Sequence, residues 1–201
     1  MQFKERLKVI KLIIFDLDGV IIDSEYQYLL EIEDFLKIKY NYFNFEITDL
    51  YQLVGVSWDY HYYLLSKLMD FKKSPEQIKI DFCYYEKSIK REYSSWLFDD
   101  VNEVLTQLKV NNYTLALASN SQQYKISEVI HQNNLHCFFS KTVSADRFKE
   151  GKPSPEIYNY ILKTLDFSPK ETLIIEDSEA GIEAGKKQTV KLLQFMMIDS
   201  K

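Results

Sequence analysis

FDLDGVIIDSE, residues 15–25, places two aspartates, Asp16 and Asp18, one residue apart, directly after the apolar run KLIIF (11–15). A strand that is to be dry does not end in two carboxylates without help. Like charges this close repel, and each is costly to desolvate. The rest of the chain points to a metal ion and a phosphate group as the compensation. Asp16 and Asp18 could instead begin a calcium loop. That loop needs further oxygen ligands and a closing glutamate, and Val20 and Ile21 stand in the next positions.

Working outward, short apolar runs recur at 114–119 (TLALAS), 140–144 (SKTVS), 172–176 (TLIIE) and 190–195 (VKLLQF). Near-continuous apolar strands suit a parallel sheet covered on both faces. Helical segments lie between the later runs. DDVNEVLTQLKV (99–110) opens on acidic residues, which favour a helix N-terminus. SPEIYNYILKTL (154–165) offers Ser154 as N-cap and Pro155 at the first helical position. SPKE (168–171) carries a capping-box pattern that has room for only one turn before the next strand. Strand alternating with helix predicts a doubly wound α/β parallel sheet.

Residues 24–97 break the alternation. They hold no convincing buried strand and show helical patterns, with Leu29, Ile32 and Leu36 on one face. A second helix opens on Ser74 and Pro75, with Gln77 at the box position. This stretch, which holds most of the chain's 15 tyrosines, is expected to form an all-helical insert. The expected division is therefore an α/β core of residues 1–23 and 98–201 and a helical domain of 24–97.

Composition sets outer limits. A chain of 201 residues with 46% hydrophobic and 27% charged residues is that of an ordinary globular protein. A net charge of -5 without a basic patch argues against nucleic acid. No stretch reaches the roughly 18 apolar residues that a membrane span needs. The basic, then apolar N-terminus is short for a signal peptide and lacks a small-residue cleavage site. Cys83 and Cys137 are far apart with no CxxC, as free thiols of a reducing compartment are. A cytoplasmic monomer or weak dimer is expected.

Ligands of open α/β sheets bind at the carboxyl ends of the strands. Asp16 and Asp18 follow the first strand, Ser119 ends the second, Lys152 follows the third, and Glu176 and Asp177 end the fourth. Carboxylates, a hydroxyl and an ammonium on one edge suit phosphoryl transfer. Mg²⁺ takes oxygen ligands, and lysine and hydroxyl groups hold phosphate oxygens.

DLDGVIIDSE, LALASNS, GKPSPEIY and IIEDSEAGIEAG resemble, in order, the four motifs of the haloacid dehalogenase (HAD) superfamily. The likeness is greatest to its phosphatase and β-phosphoglucomutase-like branch, which has a Rossmann-like core and a helical cap inserted after the first motif. The resemblance implies that Asp16 is a nucleophile forming an aspartyl-phosphate. Asp18 would serve as general acid and then base, with its backbone carbonyl on Mg²⁺. Ser119 and Lys152 would hold the transferring phosphoryl group. Asp16, Asp18, Glu176 and Asp177 would form the metal site, Glu176 as a ligand or behind one. Asn120 and Trp58 are assigned to substrate contact. Family members that cleave carbon–halogen bonds lack the second aspartate, so Asp18 favours an oxygen leaving group.

The match departs from the sugar-phosphate mutases of the branch at two points. Tyr28 stands where they carry a histidine, and Trp58 follows GVS where they carry an arginine. A glycine-bearing turn is also missing before VKLLQF, which leaves the last strand's register open. The implied activity is Mg²⁺-dependent hydrolysis of a small phosphorylated metabolite. The alternatives are a β-phosphoglucomutase-like transferase and a catalytically idle binding protein of the same fold. The intact set of costly charges argues against the idle protein.

Overall fold

The computed structural model describes residues 9–54, 58–188 and 190–194. Strand β1 (Leu12–Phe15) lies at the centre of a five-stranded, all-parallel sheet. Its companions are β2 (Thr114–Ser119), β3 (Phe139–Ser144), β4 (Thr172–Glu176) and β5 (Lys191–Gln194), in the spatial order β3-β2-β1-β4-β5. Phe15 pairs with Leu117 on one side and Ile175 on the other, which brings the ends of β1, β2 and β4 level. The chain winds outward from β1 in one direction and restarts at β4 in the other. The ends of β1 and β4 thus flank the reversal point where open α/β sheets bind their ligands.

The apolar character of β1 at every position has a direct cause. Ile13 and Phe15 pack into a layer with Leu105, Ile126 and Val129, from helices α4 (Val101–Val110) and α5 (Gln123–Gln132). Leu12 and Ile14 pack into the opposite layer with Ile157, Ile161 and Ala184, from α6 (Glu156–Leu165) and α7 (Glu179–Lys187). Each fully buried Leu or Ile side chain contributes about 1.5–3 kcal/mol. A single polar residue on either face of β1 would therefore be felt.

Residues up to Asp23 and from Glu92 onward form one compact unit, and Ser24–Arg91 another. The expected helical stretch of 24–97 thus ends six residues early. The reason is burial: Tyr93 and Trp96 belong to the core layer of α4 and α5, and the Trp96 carbonyl accepts from the Asp23 backbone N–H at 2.7 Å.

The helical unit comprises α1 (Ser24–Tyr40), a 3₁₀ turn (Ile47–Leu53), α2 (Trp58–Leu68) and α3 (Pro75–Ser88). Leu29, Ile32 and Leu36 are its buried stripe, joined by Phe35 and Phe82 with ring centroids 5.1 Å apart. Ser74 caps α3 by accepting from the Gln77 N–H at 3.2 Å. Arg91 donates to both carboxylate oxygens of Glu31 at 2.6 and 2.7 Å.

One further expectation needs adjustment. Helix α6 starts at Glu156, with Pro155 as its flanking residue and no side-chain cap. Ser154 is drawn out of the cap position by a turn in which its N–H donates to the Gly151 carbonyl at 2.8 Å. The capping box at 168–171 does form, and it caps a single 3₁₀ turn, Pro169–Glu171. β5 lies parallel to β4 with Glu176 opposite Gln194, and Phe195 lies outside the described residues. Cys83 and Cys137 are free and exposed. Among the described residues no helix is long and apolar enough to cross a membrane.

Candidate active site

The carboxyl ends of β1 and β4 and the loop after β3 bring Asp16, Lys152 and Glu176 together in the α/β unit, and Ser119 ends β2 next in sequence to Ala118, whose carbonyl Lys152 also meets. Lys152 is the centre. Its Nζ donates to Asp16 Oδ1, to Glu176 Oε1 at 2.5 Å and to the Ala118 carbonyl at 2.8 Å. An ammonium has three protons, so these contacts use them all. The side chain is 2% exposed.

Burial alone would lower the Lys152 pKa, but its neighbours, Asp16 foremost, outweigh it and hold the amine protonated. Asp16 moves in the opposite sense to most paired carboxylates. Burial raises its pKa to about 7, Lys152 only partly counters this, and Glu176 and Asp18 add repulsion. Burial is the leading cause, and one ammonium shared between the Asp16 and Glu176 carboxylates does not offset it.

Glu176 is completely buried. Its Oε1 also accepts from the Tyr158 hydroxyl at 3.1 Å. Its Oε2 accepts from the Ser178 N–H at 3.1 Å and the Ser178 hydroxyl at 2.9 Å. Tyr158, its pKa driven up by burial, remains a neutral donor. With both oxygens engaged, Glu176 serves to position Lys152. Such placement under α7 requires Gly181, where a Cβ would lie 1.7 Å from Glu176 Oε1. Gly19 plays the same part for Asp177. Its φ is +72°, and a Cβ there would lie 2.0 Å from Asp177 Oδ2.

Asp18 stands apart from this cluster. Its Oδ1 accepts from Lys125 Nζ at 2.6 Å, and its Oδ2 from the Ser121 hydroxyl at 2.5 Å and the Ser119 hydroxyl at 3.5 Å. Asn120 takes a different role from the expected substrate contact. Its Oδ1 accepts from the Lys152 N–H at 2.8 Å and its Nδ2 donates to the Lys152 carbonyl at 3.1 Å. The side chain thereby clamps the lysine's backbone. Trp58 opens α2, and its side chain lies outside the described residues. Ser121, Lys125 and Tyr158 were missed in the sequence. Ser121 and Tyr158 lie within the quoted stretches LALASNS and GKPSPEIY, whereas nothing local marks Lys125.

Oxygen atoms of Asp16, Glu176 and Asp177 lie within 4.8 Å of one another, a group able to hold a metal ion. An all-oxygen, anionic donor set with uncompensated negative charge fits a hard divalent cation.

A haloacid dehalogenase-like hydrolase family model matches residues 13–195. The chain belongs to the haloacid dehalogenase-like hydrolases. Within that family it is 32% identical to a phosphorylated carbohydrates phosphatase of Thermotoga maritima over 89% of this chain and 82% of that protein. It is 31% identical to a phosphoglycolate phosphatase of Aquifex aeolicus over 90% of this chain and 82% of that protein. Among solved structures, a Thermotoga maritima protein provisionally identified as a β-phosphoglucomutase superposes with a TM-score of 0.72 at 28% identity, covering 96% of this chain and 89% of that one. The doubly wound core is thus the hydrolase family's own, and Asp16 stands at the end of its central strand.

Proposed function

We propose that the chain is a Mg²⁺-dependent phosphatase that hydrolyses a small phosphorylated metabolite through an aspartyl-phosphate on Asp16. The observation that carries this reading is the buried Asp16–Lys152–Glu176 cluster at the reversal point of the sheet. Lys152 engages Oδ1 of Asp16, so Oδ2 is the attacking atom. It forms a bond to phosphorus as the bond from phosphorus to the leaving oxygen breaks. Asp18 delivers a proton to that oxygen. It then takes a proton from water as the water oxygen attacks the aspartyl-phosphate, and orthophosphate leaves with Asp16 regenerated. Ser119 holds a phosphoryl oxygen, and so does Lys152 once the phosphoryl group takes the place of one of its present acceptors. Asp16, Asp177 and the backbone carbonyl of Asp18 would hold Mg²⁺, with Glu176 behind them. When bound, the ion neutralises charge on the phosphoryl group and offsets the repulsion among these carboxylates.

The purified protein should release phosphate from 4-nitrophenyl phosphate with Mg²⁺ present and lose nearly all of that activity in excess chelator. Acid quenching in the steady state should leave phosphate on the peptide that carries Asp16. Turnover that persists in chelator counts against the reading.

The structural likeness to a protein provisionally identified as a β-phosphoglucomutase favours a second reading, phosphoryl transfer between sugar hydroxyls. Tyr28 speaks against it. Its ring stacks on His61 with centroids 6.0 Å apart and meets the edge of Phe82 at 5.8 Å, so it serves the packing of the helical unit. Trp58 cannot form the charged pair that a bisphosphate intermediate needs, a loss of about tenfold or more in preference for such a ligand. Given β-glucose 1-phosphate, a trace of bisphosphate and Mg²⁺, the protein should form free phosphate faster than glucose 6-phosphate. The reverse order establishes the transferase.

A further inference from the structure

Asp18, the proton carrier of the proposed reaction, is held by side chains of the segment that follows β2. We propose that Lys125 is the positioning residue for Asp18, and that through Asp18 it governs how well the enzyme expels a poor leaving group. This rests on the phosphatase reading.

Three observations support it. First, the contact is close and shielded: Lys125 Nζ lies 2.6 Å from Asp18 Oδ1, and the two side chains are only 22% and 31% exposed. Second, the other oxygen of Asp18 is held independently, by the Ser121 hydroxyl at 2.5 Å. The carboxylate is thus gripped at both ends, and its plane is set by two partners from the same segment of chain. Third, Lys125 occupies an unfavourable place. It lies in the first turn of α5, where the helix dipole disfavours a cation and the turn itself contains no acidic residue. Helix α5 draws its N-terminal contact from elsewhere, Asp146 Oδ2 accepting from the Gln123 N–H at 3.0 Å. Helix stability therefore does not account for a lysine here, whereas the pairing with Asp18 does.

Asp18 needs such a partner because of where it sits. It is two residues from Asp16, and the only ammonium deep in the site among the described residues, that of Lys152, is committed to Asp16 and Glu176. Lys125 supplies a separate counter-charge at the rim. Its removal takes away the charged part of the grip on Asp18, so the carboxylate turns more readily away from the leaving oxygen.

A residue that works through a general acid has a specific kinetic signature. A good leaving group departs without a proton, and a poor one requires it. Lys125→Met, Lys125→Arg and Asp18→Asn are therefore compared with the wild-type protein on a graded series from 4-nitrophenyl phosphate to phenyl phosphate. Lys125→Met should lose about tenfold in kcat/KM on phenyl phosphate and less than about twofold on 4-nitrophenyl phosphate, a fraction of the 10²–10⁴-fold that removing a general acid costs. Lys125→Arg should recover most of the loss. An equal fall across the series, as a merely structural lesion produces, overturns the proposal, and so does no fall at all. Asp18→Asn distinguishes the role of Asp18 from that of Lys125. If its own losses are uniform across the series, the acid role of Asp18 fails. If they grow toward phenyl phosphate while those of Lys125→Met do not, only the role of Lys125 fails.

Discussion

Asp16→Asn is expected to abolish turnover, by at least about 10³-fold in kcat, while leaving the protein folded. The amide matches the carboxylate in shape but carries no nucleophilic oxygen, so no aspartyl-phosphate forms. Stability should respond in a characteristic way. In the metal-free protein the pKa of Asp16 is raised from 3.8 to about 7, chiefly by burial. A carboxyl group whose folded pKa is raised favours the folded state at low pH, and that advantage is lost as pH rises through the folded value. The metal-free wild-type protein should thus lose stability between about pH 4 and 7 through this group. Asp16→Asn carries no charge to penalise and should lack this component of the decline. Thermal unfolding of both proteins across that range, in chelator, tests the point. Wild-type activity in the variant would remove Asp16 from the mechanism altogether.

Lys152→Met carries the other large effect, on folding as well as on chemistry. Methionine fills the space of the lysine stem but leaves the Asp16 and Glu176 carboxylates without their shared ammonium, and the Ala118 carbonyl without its donor. Removing one partner of a buried ion pair costs about 3–5 kcal/mol, because the remaining charge stays desolvated. Adding Glu176→Gln to Lys152→Met removes one orphaned charge and should recover part of the stability, without recovering activity. Urea titrations of the single and double variants separate charge from packing. A single variant as stable as the wild-type protein would show that the cluster is not held by this ion pair.

The recovery expected in the double variant reflects a division of labour that only three dimensions display. Lys152 is 136 positions from Asp16 and 24 from Glu176. Their meeting depends on β1 lying between β2 and β4, with the loop after β3 reaching back across β2. The order of the motifs is compatible with that arrangement, and the likeness to a family whose first strand is central makes it the expected one.

Much of the molecule is local and therefore legible in the sequence. The doubly buried inner strands β1 and β2 must be apolar at nearly every position, which is why their runs stand out. The turn at 168–171 and the cap at Ser74 follow from side chains that reach backbone groups three residues away. The acidic pair after β1 announces a site because nothing else justifies the desolvation of two carboxylates. What the sequence leaves undecided is how each polar group is used once several converge. Glu176 could have faced outward as a ligand, but Ser178 and Tyr158 claim its oxygens. Asn120 could have faced substrate, but the backbone of Lys152, 32 positions away, lies within its reach. Residues 92–97 read as part of the insert until Tyr93 and Trp96 find their core layer. Lys125 looks like any surface lysine of a helix until α5 brings its ammonium to Asp18. A hydrogen bond or ion pair is decided within a few tenths of an ångström, and distances of that order between remote residues are set by the packing of the sheet and its helices.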